Sequence, residues 1–277
     1  MNSILAPIDF SEPSINSLKY AADLSSYFGS KLIILHAYQM PLNTYETAYM
    51  DQAFYQVKGE TEKLLNNKKS ELEKDYPNLE VEVVMEMGFA FDTIKNTVKR
   101  KQIDLVVMGI IGGGSFIKKK IIGSTAIKVA KKLNYPLIIV PENARYKPVK
   151  KIAYACDYSM DSSSNSITIQ VKLYASFFHA KIVVLNIIKN ELELADNVQI
   201  TKSKNYVESK LRNTEHVSVT IKSENVVDGI SSFLSEDKVD LLMLYPLKHW
   251  MFYSWFHEEV TPELAFKTTV PLLILHD

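Results

Sequence analysis

The sequence predicts an α/β protein made of two tandem doubly wound (Rossmann-like) parallel five-stranded sheets with helices on both faces. Three observations predict it. Short continuous runs rich in Ile, Val and Leu, such as KLIILHAY (31–38) and KIVVLNII (181–188), have the length and composition of strands buried on both faces. Stretches with helical spacing lie between such runs, and strand alternating with helix gives a parallel, doubly wound sheet. The same succession of runs occurs twice in the chain.

SILAPIDFSEPS opens the first copy and KIAYACDYSMDS the second, near Lys151. In each, an apolar run ends at an Asp, an aromatic and a Ser: Asp9-Phe10-Ser11 and Asp157-Tyr158-Ser159. KLIILHAY and KIVVLNII follow. Then come QIDLVVMG (102–109) and KVDLLMLY (238–245), and each copy closes on YPLIIVPE (135–142) or VPLLILHD (270–277). Four matching runs in one order indicate a tandem duplication. Its period far exceeds that of solenoid repeats, so each copy is expected to be a domain, 1–145 and 146–277, with ENARYKP (142–148) as the linker.

The helices follow in order. In SINSLKYAADLSSYFG (14–29), Ile15, Leu18, Ala22 and Leu24 to Phe28 form an apolar stripe; Ser11 or Ser14 can cap its start and Gly29 its end. Residues 45–77 read as a helix with a polar, charged second part, longer than the equivalent region of the other copy: an extra helix packed over the first domain or a partner surface. AFDTIKNTVKRKQ (90–102) and STAIKVAKKLN (124–134) have the same helical spacing.

Composition narrows the function classes. With 32 basic and 32 acidic side chains the formal net charge is zero, so no basic excess favours nucleic acid. No apolar run reaches membrane-span length, and MNSILAPIDF reads as a strand rather than an export signal. The single cysteine, Cys156, cannot form an internal disulfide, which fits a reducing, cytoplasmic location.

In a doubly wound sheet, ligands bind outside the carboxyl ends of the strands, where the strand order reverses. Asp9, Ala37 and Met108-Gly109 end three of the expected strands of the first copy. From there emerges GIIGGGSFIKKKIIGST (109–125), which holds five of the nine glycines. It fails the P-loop pattern, because Ser115-Phe116 stands where Lys and Ser/Thr are required, and it fails G-x-G-x-x-G. It does contain G-x2-G, Gly109 to Gly112, then ten residues, then Gly123-Ser124. Glycines let backbone amides approach phosphate oxygens without Cβ clashes. The helix beginning at Ser124 offers free amides and a positive dipole end to an anion.

This glycine pattern resembles the nucleotide-binding signature of the universal stress protein family. APIDFSEPS, KLIILHAY, GFAFDTI (88–94) and YPLIIVP are similar to that family's other elements in the same order, and tandem members are a recognised form. The resemblance implies a regulatory, non-enzymatic protein of the stress response that binds an adenine nucleotide, ATP with or without magnesium. It implies Pro7, Asp9, Ala37 and Met108 on the adenosine side, and Gly109, Gly112, Gly123, Ser124 and Thr125 around the phosphates. The family spacing is nine residues where this chain has ten. Counting back from Gly123 selects Gly113 instead of Gly112, with Ile110 then replacing the first glycine. The resemblance also implies dimerisation through the last strands; here PLIIVP and PLLILH could pair within one chain as a pseudo-dimer, with a homodimer as the alternative.

The second copy is expected to have lost the site. Glu258-Glu259 falls opposite Gly123-Ser124, where carboxylates would repel phosphate, and Tyr245 falls opposite Gly109. The aromatic segment YPLKHWMFYSWFHEEV (245–260) reads as internal packing or as a contact surface for an unidentified protein partner. Lys118-Lys119-Lys120 reads as a solvated face or a phosphate contact, His36 as a packing residue, Cys156 as a small core side chain, and His249 with His257 as no metal site. Two further readings stand: a nucleotide-free interaction protein, and a slow ATPase, for which Asp9 is the one candidate acid.

Overall fold

A computed structural model of the chain describes residues 1–39, 47–110, 124–156, 158, 165–188, 198–245 and 260–276. They form an α/β fold with a parallel-dominated sheet and divide into two compact units, which part between Tyr135 and Pro136.

The first unit contains β1 (Ser3–Pro7), α1 (Glu12–Phe28), β2 (Lys31–Tyr38), α2 (Thr47–Asp75), β3 (Val81–Met87), α3 (Ala90–Lys101), β4 (Leu105–Ile110) and α4 (Ser124–Lys132). Its strands run in the order β3-β2-β1-β4, all parallel. The order reverses at β1, whose neighbours are β2 and β4, so the switch point lies at the carboxyl ends of these strands. Ile4, Leu5 and Ala6 of β1, Leu32 and Ile34 of β2, and Leu105 to Val107 of β4 are fully buried, as continuous Ile/Leu/Val runs require in a sheet covered on both faces. α1 buries Leu18, Ala21, Ala22 and Leu24 and stops at Gly29 in a left-handed cap. Ser11 takes the N-cap position, but its side chain makes no cap bond. Its hydroxyl turns to Asp9 instead, a competition that the sequence did not reveal.

The second unit contains β5 (Leu137–Pro141), β6 (Lys151–Ala155), α5 (Asn165–Phe178), β7 (Lys181–Ile188), α6 (Val198–Leu211), β8 (His216–Lys222), α7 (Val226–Glu236), β9 (Leu241–Leu244), α8 (Val260–Lys267) and β10 (Leu272–Ile274). Its strand order is β5-β10-β9-β6-β7-β8. β10 runs parallel to β9 and antiparallel to β5, with Leu273 opposite both Met243 and Ile138. The pairing anticipated for PLIIVP and PLLILH is therefore present. β5, which the repeat assigns to the first copy, packs with the second unit. The compact units hence divide about ten residues before the repeat boundary at 145.

The duplication extends to single hydrogen bonds. The Asp104 carboxylate accepts from the amides of Asn2 (2.5 Å) and Ser3 (3.2 Å), and the Asp240 carboxylate accepts from those of Lys150 and Lys151 (2.9 Å each). Ile8 N–H donates to Leu35 O (2.8 Å), as Cys156 N–H does to Leu185 O (2.9 Å). His36 Nδ1 lies 2.9 Å from Ile8 O, and Asn186 Nδ2 donates to Cys156 O at 3.0 Å. These pairs align the two copies position by position, through one shared backbone bond and two shared side-chain bonds.

Candidate functional site

At the carboxyl edge of the first unit, β1 delivers Pro7 and then Asp9. The Asp9 carboxylate is solvent-exposed, and its Oδ1 accepts from the Ser11 amide (3.0 Å) and the Ser11 hydroxyl (2.5 Å). The Asp9 amide donates to the Ser14 hydroxyl (3.3 Å), whose own proton goes to Ser11 O (2.9 Å). Partial burial works to raise the Asp9 pKa, but the Ser11 and Ser14 hydroxyls and the Ser11 amide outweigh it and hold the carboxyl below its ordinary value. Between them, Phe10 adopts a left-handed backbone (φ 63°), which is uncommon for a bulky residue. Its ring lies against His36, centroids 5.0 Å apart. His36 is thus a packing residue that ties the end of β2 to the turn after β1.

β2 then delivers Ala37 and Tyr38, both half-buried, and β4 delivers Met108, which is buried, and Gly109. A Cβ built on Gly109 would stand 2.1 Å from Pro13 O and 2.5 Å from Pro13 C, so the start of α1 crosses β4 at bare backbone. α4 begins at Ser124, and Thr125 in its first turn is half-buried. Lys128 of α4 lies over the Phe91 ring of α3 at 4.7 Å, which couples the two helices on this side. The structure thus brings Pro7, Asp9, Ala37, Met108 and Gly109 to one edge, at the carboxyl ends of β1, β2 and β4. Gly112, Gly113 and Gly123 lie outside the described residues, as do Lys118 to Lys120, Asp157, His249, His257 and 246–259.

The corresponding edge of the second unit carries larger, buried side chains. Opposite Ala37 stands Ile187, only 4% exposed. Opposite Phe10 stands Tyr158 (1%), and opposite Gly109 stands Tyr245 (5%). Burial pushes the Tyr158 hydroxyl above its ordinary value. Cys156 is buried among these side chains, as a small core residue.

Sequence reasoning missed Met87 and Phe89, at the end of β3 and the start of α3, which are 62% and 69% exposed. The signal was there in the repeat: Met-Gly-Phe in one copy stands where the other has Lys-Ser-Glu. Among the described residues no helix is long and apolar enough to cross a membrane. No group of three or more His, Cys, Asp or Glu among them is placed to hold a metal ion.

This architecture is that of a duplicated doubly wound α/β protein whose two carboxyl edges carry different side chains, Ala37 and Gly109 in one and Ile187 and Tyr245 in the other. Residues 1–141 match the model of the universal stress protein family, and the chain belongs to that family. Among solved structures it is similar to a universal stress protein from Archaeoglobus fulgidus: TM-score 0.75, 14% identity, covering 99% of this chain and 98% of that one. A putative universal stress protein from Pseudomonas aeruginosa follows at TM-score 0.59 and 12% identity, with 100% and 93% covered. A further Pseudomonas aeruginosa protein, described as functionally unknown, stands at TM-score 0.58 and 12% identity, with 100% and 92% covered. At such identities the likeness is one of fold. No curated protein matches the chain.

Proposed function

We propose that the first repeat binds an adenine nucleotide, ATP, at the carboxyl edge of β1, β2 and β4, and that the second repeat does not. The observation that supports this reading is internal to the chain. At the same edge of two copies of one fold, the first presents half-buried Ala37 and Gly109 where the second has buried Ile187 and Tyr245. Pro7, Ala37 and Met108 then line the adenosine side. Asp9, ionised at neutral pH, accepts from the ribose hydroxyls. The backbone at Gly109, Gly112 or Gly113, and Gly123, with Ser124 and Thr125 at the start of α4, holds the phosphates through amides and the helix dipole. Any magnesium would be carried in by the phosphates. The protein is read as a nucleotide-responsive regulator of a stress response in the cytoplasm, a role supported by family membership and not by any catalytic constellation.

Calorimetric titration with ATP tests it. One site per chain with a roughly micromolar Kd is expected, about −8 kcal/mol. Ala37→Ile, which copies the second repeat, should abolish the signal while leaving the circular dichroism spectrum unchanged. Undiminished ATP binding by Ala37→Ile would sink the assignment of the edge; no heat with wild-type protein up to millimolar ATP would sink nucleotide binding altogether.

A further inference from the structure

β3 and β8 occupy the same place in the two repeats. Each is followed by the same hydrogen bond back to the second strand: Gly88 N–H to Tyr38 O and Ser223 N–H to Ile188 O, both 2.9 Å. That bond equates Met87 with Lys222 and Phe89 with Glu224. Lys222 and Glu224 are exposed charged side chains, the ordinary occupants of a strand end in water. Met87 and Phe89 are as exposed, yet one is a thioether and the other a phenyl ring. The fold does not require them, because the other copy makes the same turn with charges.

Nor is the exposed phenylalanine on a loose loop. Gly88 sits at φ +149°, a conformation that side chains rarely adopt, and its amide is bound to β2. The Phe89 carbonyl accepts from both the amide and the hydroxyl of Thr93, at 3.0 Å each. Tyr38 and Met87 are direct partners in the β2–β3 ladder, so their side chains leave the same face of the sheet. Two exposed apolar side chains are therefore carried on a tied backbone in the first repeat, where the second repeat carries charges.

Its position along that edge has chemical meaning. Strands are spaced about 4.8 Å apart, and their order is β3-β2-β1-β4. If the phosphates lie at β4 and α4 and the ribose at Asp9 on β1, the base extends over β2 toward β3, about 10 Å from β1. A nucleobase offers a flat π-face to whatever meets it there; aromatic side chains stack on it without reading its hydrogen-bonding edge, and a bicyclic purine presents a larger face than a pyrimidine. We propose that Phe89, supported by Met87, is the base-stacking platform of the first repeat's nucleotide site, and that the ligand class is therefore purine nucleotides, GTP as well as ATP. This rests on the nucleotide reading above and adds to it a residue and a specificity.

The test uses the full-length chain and four titrants: ATP, GTP, CTP and inorganic tripolyphosphate. Wild-type protein should bind ATP and GTP within about tenfold of each other and CTP more weakly, since a pyrimidine offers less stacking area. Phe89→Ala should weaken ATP and GTP by roughly tenfold or more without changing the response to tripolyphosphate. Phe89→Trp should restore affinity, and ATP should change its fluorescence relative to wild type where tripolyphosphate does not. Because Phe89 is exposed, both variants should keep the wild-type melting temperature. Wild-type affinity for ATP in Phe89→Ala overturns the platform and leaves nucleotide binding standing. So does an equal loss toward ATP and tripolyphosphate, or strict preference for ATP over GTP. Failure of the wild type to bind any of the nucleotides overturns both proposals.

Discussion

Gly109 has a packing reason to be glycine that is independent of any phosphate. The start of α1 lies where its Cβ would be, with the Pro13 carbonyl carbon and oxygen at 2.5 and 2.1 Å. Gly109→Ala must therefore push α1 off β4, and a loss of about 3 kcal/mol or more is expected in denaturant unfolding, at the upper end for overpacking. Asp9 makes a different kind of prediction. Its folded-state pKa lies below the ordinary 3.8, so the folded chain favours the ionised form. The stability this supplies is present above pH 3.8 and is lost as pH falls through the lower, folded value. The melting temperature of wild type should exceed that of Asp9→Asn near pH 6, and the gap should close toward pH 3, measured at low salt. The positions of Asp9, Ala37, Met108 and Gly109 near strand ends were legible in the sequence, because apolar runs locate a strand's end to within a residue or two: β1 stops at Pro7, β2 at Tyr38 and β4 at Ile110. Met87 and Phe89 were not, because they follow VEVVMEM, whose alternation gives no apolar run to end.

That alternation belongs to the element scale. β3 (VEVVMEM) and β8 (HVSVTIK) are outer strands, each with a neighbour on one side only, β2 and β7. Outer strands are half solvated, so Glu82, Glu86, Ser218 and Thr220 interrupt the apolar pattern by which the inner strands were found. Polar atoms on β3 are partnered: Lys101 and Lys31 reach Glu82 at 2.6 and 3.0 Å, and Lys101 above all holds its carboxyl below the ordinary value. The long helix α2, expected over 45–77, is observed from Thr47 to Asp75. It is anchored just past its end by Tyr76, whose hydroxyl donates to Asp23 of α1 at 2.8 Å. Burial, with the Asp23 bond and the charges of Asp23 and Asp75, pushes the Tyr76 pKa up from 10.0 to about 12. A raised folded-state value means stability that is complete below pH 10 and lost as pH rises toward 12. Tyr76→Phe should cost about 1 kcal/mol at pH 7 and flatten the fall in stability across that alkaline window, read from urea unfolding at a series of pH values.

At the scale of the molecule, β5 pairs antiparallel with β10 and is counted with the second compact unit. Leu137, Ile138 and Ile139 are fully buried in that pairing. A fragment ending at Pro141 would present this strand as a bare apolar edge, and it should elute as a concentration-dependent dimer or larger species in size-exclusion chromatography with light scattering, while the full chain shows no dissociation on dilution. The antiparallel β5–β10 pair carries a further consequence. Where two identical subunits meet through such a strand, each substitution is made twice and any ligand site comes in pairs. Where both strands lie on one polypeptide, the halves are inherited as separate stretches of gene, and one edge can accumulate Ile187 and Tyr245 while the other keeps Ala37 and Gly109. A monomeric chain with the one proposed site would saturate hyperbolically, with a Hill coefficient of one, and respond to ligand by concentration alone.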